Sequence, residues 1–168
     1  GTSDIGVAND FRRIGLVRDP YNFGTTTVAS ADTRRQLYAA IFSSVSGTFT
    51  ADEEINQAST GAVGKVVEYD STNLILYYYQ TRFPDVGTDS DGNLTAFSGA
   101  NAITGQSSSA SATPNTSNSN TVNGTVFSSG YSNPELAFDS GDIIYVEERS
   151  PITRASDQTE NIKLIIEF

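Results

Sequence analysis

Turn-forming residues interrupt this chain so often that only short strands fit between them. Thr60-Gly61, Asp70-Ser71 and Asp91-Gly92 punctuate a region that reads as strands over Thr48 to Thr50, Glu54 to Gln57, Lys65 to Asp70 and Leu74 to Arg82. Apolar residues there recur with period two, which sends successive side chains to opposite faces, as in a strand. Thr, Ser, Asn and Gly supply much of the remainder and favour turns and strand surfaces over helix interiors. An all-β fold follows, and short strands at regular turn spacing predict a small barrel or sandwich. Nine Phe and eight Tyr provide core anchors, each contributing about 1.5–3 kcal/mol when fully buried.

The flanking segments extend the pattern. Phe11 to Val17 reads as a first strand, stopped by Asp19-Pro20. From Gln36 to Val45, Leu37, Ala39, Ile41 and Val45 alternate with Tyr38, Ala40 and Phe42, which favours a strand over a short helix capped by Ser30-Ala31-Asp32. Leu74, Leu76 and Tyr78 oppose Ile75, Tyr77 and Tyr79, so both faces of that strand are apolar and one is expected to serve as a contact surface. Gln106 to Asn123 has almost no large apolar residue and reads as a flexible Ser/Thr/Asn-rich linker or loop. Beyond it, Gly141-Asp142 opens a strong strand, Ile143 to Glu148, ended by Ser150-Pro151. A last strand, Ile162 to Phe168, is expected to pair with Ile143 to Glu148 and with Phe11 to Val17.

Several function classes are closed by composition. The chain has no Cys and no His, so Ser-His-Asp and Cys-His nucleophile systems, Cys/His zinc sites and disulfides are out of reach. A formal net charge of −10 repels phosphate backbones and anionic lipid, and neither nucleic acid nor a membrane surface is an expected partner. No apolar window approaches the roughly 20 residues of a membrane-spanning helix. Zero Cys fits synthesis in a reducing cytoplasm, and the lack of any Met fits either initiator removal ahead of Gly1 or a fragment of a longer chain, the second being favoured.

The residues that could carry chemistry have simpler explanations. Glu53-Glu54 and Glu147-Glu148 are adjacent pairs on strands, so their members face opposite ways and cannot flank one bond. Asp85, Asp89, Asp91 and Asn93 resemble part of a calcium loop, but aligning Gly92 with its turn glycine leaves Gly87 and Ser98 at ligand positions, so a hairpin is expected. Thr60 to Lys65 lacks the spacing and the following Ser/Thr of a phosphate loop. Arg12, Arg13 and Arg18, with Arg34-Arg35 nearby, suit ion pairs within the chain or to a partner. No catalytic residue, metal or cofactor is expected.

Two segments carry a resemblance. Ser140-Gly141-Asp142-Ile143-Ile144-Tyr145-Val146-Glu147-Glu148-Arg149-Ser150-Pro151-Ile152, continuing to Asp157-Gln158-Thr159-Glu160, is similar to the C-terminus of the gene-eight baseplate wedge subunits of T-even-type contractile-tailed phages. Phe11-Arg12-Arg13-Ile14 followed by Pro20 resembles an upstream strand of the same subunit. The resemblance implies a β-sandwich subunit, dimeric, set among other wedge proteins in the virion tail baseplate and assembled in the host cytoplasm, with no reaction and no cofactor. It divides the chain into a wedge-type β-sandwich from residues 1–35 plus 124–168, an inserted small β-barrel-like module over 36–105, and the linker over 106–123. Candidate interface residues are Arg12, Arg13, Arg18, Tyr77, Tyr79, Tyr145 and Arg149. The rival reading is a glycan- or receptor-binding module using Tyr77 and Tyr79 with the nearby loops. On the scaffold reading, deleting part of Ser107 to Asn118 is tolerated and deleting Ile162 to Phe168 is not. Far-ultraviolet circular dichroism is expected to show a strand-dominated spectrum, with helix well below the globular average of about a third.

Overall fold

The computed structural model describes residues 12–30, 35–80, 87–137 and 140–149. The expected strand Ile162 to Phe168 lies outside these, as do Phe11, Arg34 and Asp85. The all-β expectation holds: the described residues form strands in antiparallel sheets and no helix. The chain divides into two compact units, residues 1–19 with 141–168, and residues 20–140. Residues 20–35 and 124–140 therefore group with the middle of the chain, not with its ends.

In the first unit, β1 (Arg12–Arg18) and β11 (Asp142–Arg149) form a two-stranded antiparallel ribbon. Its register runs from Arg12 opposite Arg149 to Arg18 opposite Asp142, with a bulge between Leu16 and Val17. Alternation places a strand at each of these positions, but the expected partner of both is Ile162 to Phe168, so their direct pairing with each other is a finding of the structure.

The second unit is built on a seven-stranded sheet. Its strands are β2 (Tyr38–Ile41), β3 (Glu54–Gln57), β4 (Ala62–Asp70), β5 (Ile75–Tyr79), β6 (Ile103–Gly105), β7 (Ser111–Ala112) and β10 (Tyr131–Ser132), ordered β10-β2-β5-β4-β3-β6-β7. A small hairpin, β8 (Thr121–Val122) with β9 (Thr125–Val126), stands apart from that sheet. Local chemistry sets the turns. The Asp70 carboxylate accepts from the backbone N–H groups of Thr72 and Asn73 and from Asn73 Nδ2, closing the β4–β5 connection. Asn123-Gly124, both at positive φ, make the two-residue turn of the β8–β9 hairpin.

Burial follows the alternation. On one face Ile55, Val66, Leu76, Tyr78 and Ile103 pack with Phe42, Phe49 and Phe97. The rings meet edge to face where Tyr78 approaches Phe97 at 4.8 Å. On the other face Ala39, Ile41 and Ile75 are capped by Phe127, with Tyr77 and Val122 at the margin. The contact surface expected on one side of Leu74 to Tyr79 is therefore covered over Ile75 and Tyr77 by the chain's own residues 122–127.

The barrel-like expectation needs correction, because no sheet closes into a barrel. The sheet instead folds back on itself through isolated bridges, Ser46 to Ser111 and Phe42 to Pro114. Ser46 and Ser111 exchange N–H to O bonds of 2.9 Å in both directions, and Asn115 N–H donates to Ile41 O at 2.8 Å.

That return overturns the linker reading of residues 106–123. The segment supplies β7 and β8 and buries Ala110 and Ala112. A count of apolar side chains misses the reason, which is polar. Glu53, only 5% exposed, accepts from Thr50 N–H and from the backbone N–H and hydroxyl groups of Ser107 and Ser108, at 2.7–3.2 Å. A Cβ on Gly105 would stand 2.6 Å from both the Glu53 Oε2 and the Ser108 Oγ, so the turn is shaped around the carboxylate. Burial pushes the Glu53 carboxyl up, but the bonds from Ser108, Thr50 and Ser107 outweigh it and hold the pKa at about 2.

A carboxyl depressed from 4.5 to about 2 contributes about 3 kcal/mol of stability above its unfolded-state pKa, a contribution lost as pH falls from about 4.5 towards 2. Glu53→Gln should therefore lower the urea midpoint at pH 7, and the gap from the unaltered chain should shrink below about pH 4.5. A gap independent of pH would contradict the clamp. Deleting Ser107 to Asn118 should unfold residues 20–140 as read by loss of cooperative melting, the reverse of what a linker allows.

Candidate functional site

The structure gathers five of the seven candidate interface residues onto the β1–β11 ribbon: Arg12, Arg13 and Arg18 on β1, Tyr145 and Arg149 on β11. Backbone register sets Arg12 opposite Arg149 and Arg13 opposite Glu148. Arg18 Nη2 lies 2.9 Å from Asp142 Oδ2 across the strands, and its Nε lies 3.8 Å from Asp19. Both contacts are solvent-exposed, so each contributes about 0–1 kcal/mol. Tyr145 donates its hydroxyl to Glu147 Oε2 at 3.0 Å, as residues two apart on one strand face can.

The ribbon's apolar residues are out of place for a self-contained sheet. Leu16 is 54% exposed, Ile143 70%, Ile144 59% and Val146 53%. Ile143 and Ile144 are neighbours on a strand, so exposure extends over both faces.

The other two candidates, Tyr77 and Tyr79, sit half-buried on β5 in the second unit. Tyr77 shares its hydroxyl with Thr125 Oγ1 at 3.1 Å, and the Arg35 guanidinium carbon lies 5.8 Å from its ring centroid. Arg35 ties the entry of β2 to the exit of β10. Its Nη1 donates to Leu37 O, its Nη2 donates to Ser132 Oγ at 2.7 Å and Asn133 O at 3.1 Å, and its own N–H donates to Glu135 Oε2 at 2.7 Å. Burial lowers the Arg35 pKa, and the charges of Glu135 and Tyr77 oppose that. A recess of about 370 Å3 beside it is lined by Glu68, Asp70, Tyr77, Asn123, Thr125 and Glu135. The residue types suit a polar or cationic group, while the ring of Tyr77 is already engaged by Arg35.

The acidic loop makes a turn. Asp89 Oδ1 accepts from the N–H groups of Asp91 and Asn93 at 2.9 Å, and Thr88 bridges Leu94 across it, as a hairpin requires. These bonds, Asn93 N–H foremost, outweigh residual burial and lower the Asp89 pKa. No group of three or more His, Cys, Asp or Glu that could hold a metal occurs among the described residues.

Sequence reasoning missed Arg35, Glu53 and Gln57 as organising residues. Gln57, fully buried, donates to Asn101 O and to Tyr131 Oη, and accepts from Thr60 Oγ1 and Ser98 N–H. The signal was present: on the period of Ile55, both Glu53 and Gln57 fall on the inward face.

Comparison with known proteins places part of the chain. Residues 87–168 match the family model Phage-Gp8, described as bacteriophage T4 Gp8, the gene 8 baseplate wedge protein. The match starts inside the second unit and includes β11. No curated protein and no solved structure matches the chain.

The Arg35 geometry has a measurable consequence. Replacing a half-buried guanidinium that serves three acceptors should cost about 2–4 kcal/mol, read as a lower denaturant midpoint for Arg35→Met. Arg35→Lys should recover little of it, because an ammonium cannot span the same fork.

Proposed function

We propose that this chain is a structural subunit of a phage tail baseplate wedge, acting as a protein–protein scaffold in virion assembly and not as an enzyme. The observation that carries the reading is the Phage-Gp8 match over residues 87–168, in a chain whose β1–β11 ribbon presents apolar residues to solvent on both faces. A scaffold needs surfaces that become buried on assembly, and the exposed apolar residues of the ribbon support that reading. Its partners on this reading are the other baseplate wedge proteins, together with a second copy of itself in a homodimer. It resides in the tail baseplate of the virion after assembly in the host cytoplasm, and takes neither nucleic acid nor membrane as a partner.

A second reading, a glycan- or receptor-binding module, is favoured by the polar recess beside Tyr77. Against it stands the use of that tyrosine inside the fold, through Thr125 and Arg35. A glycan array separates the two readings, since a pure scaffold retains no glycan.

The decisive experiment is to purify virions of the phage that encodes the chain and detect it by antibody and mass spectrometry, then to delete its gene. The expected result is the protein in tail baseplates of complete particles, and particles lacking complete baseplates after deletion. A chain absent from virions, with assembly unaffected by its loss, would refute the scaffold reading.

A further inference from the structure

A two-stranded ribbon is marginally stable in water unless something packs on it. Here Ile143-Ile144-Tyr145-Val146 is an unbroken apolar run, the pattern of a strand covered on both faces and not on one. Exposure agrees, since Ile143, Ile144 and Val146 are each more than half exposed, and Leu16 on the paired strand is as well. No other described strand has such a run: those of the second unit bury most of their large apolar residues in its two clusters, with Val67 and Val126 as isolated exposed exceptions.

Charge distinguishes the ribbon as well. Its fifteen residues carry four arginines, Arg12, Arg13, Arg18 and Arg149, against three carboxylates, Asp142, Glu147 and Glu148. Residues 20–140 carry four basic residues against eleven acidic ones. A protein approaching the second unit must contend with that excess of one sign, whereas the ribbon can be desolvated with its charges nearly balanced.

Resting on the baseplate reading above, we propose that the β1–β11 ribbon is the docking element of this chain and inserts as a tongue into an apolar slot on a neighbouring, different baseplate protein. A second copy of the chain does not meet the need, because a two-fold contact joins the same face of each ribbon and leaves the other face in water. A slot covers both. It also extends the ladder at the ribbon's edges, as in strand addition.

The chain has no cysteine, so single thiols report cleanly. Ile143→Cys and Ile144→Cys place a thiol on opposite faces of β11, and Val126→Cys, at a position 67% exposed in the second unit, gives the reference reactivity in the free protein. In the free protein all three should react with a maleimide at comparable rates. In purified virions the thiols at 143 and 144 should both lose their reactivity, and a benzophenone maleimide attached before assembly should photolink both positions to a different baseplate protein. Persisting reactivity at either face in virions overturns the proposal, as does a photoproduct containing two copies of this chain or one joined only within a single chain. Should Ile144→Cys fail to fold, Val146→Cys reports the same face. A wild-type chain missing from virions refutes the baseplate reading itself, which a reactive ribbon in an incorporated chain does not.

Discussion

The carboxylate of Glu53 ties the approach to β3 to the turn between β6 and β7. It sits inside β3's approach, where a charge would ordinarily be excluded, and is kept there by N–H and hydroxyl donors from Thr50, Ser107 and Ser108. The donors from Ser107 and Ser108 lie in the turn that reverses β6 into β7, so satisfying the carboxylate also helps direct the chain back towards Ser46 and Phe42. The seam along which the sheet folds over is thus set by one buried anion. Gly105 is the steric counterpart, since any larger residue would occupy the space its oxygen needs.

Around that clamp the second unit is divided between apolar packing and polar hubs. Leu76, Tyr78, Ile55 and Val66 supply burial, whereas Gln57 and Arg35 fix register between segments distant in sequence. A buried amide with all of its partners made specifies one arrangement, because any slip would strand a donor or acceptor away from water. The ribbon of the first unit works on the opposite principle. Among the described residues it has a defined ladder and no cover, so its specificity must be completed from outside them.

Much of this was legible in the letters. Alternation found the strands over Glu54 to Gln57, Leu74 to Arg82 and Ile143 to Glu148, although it did not pair the last of these directly with the first strand of the chain. The pattern Ser140 to Ile152 indicated the family that residues 87–168 match. What alternation could not supply was long-range polar pairing. Nothing local to Ser107-Ser108 says that a carboxylate more than fifty residues earlier will seek its N–H groups, so a segment poor in apolar residues looked like a tether. Tyr77 misled for a related reason: its face is covered by Phe127, a residue whose place depends on a loop that composition describes only as polar. Five of the candidate interface residues share the ribbon because β1 and β11 pair directly, which alternation alone did not specify; the two tyrosines belong to β5 of the second unit.

The pairing of Arg18 with Asp142 brings the two ends of residues 20–140 onto neighbouring strands, about 5 Å apart across the ladder. A segment that leaves and re-enters its host through adjacent positions behaves as a cassette. Exchanging it for a short turn, or for an unrelated domain with close termini, leaves the register of β1 and β11 intact. Such insulation would let the inserted unit diverge in sequence while the register of the strands at its base is kept.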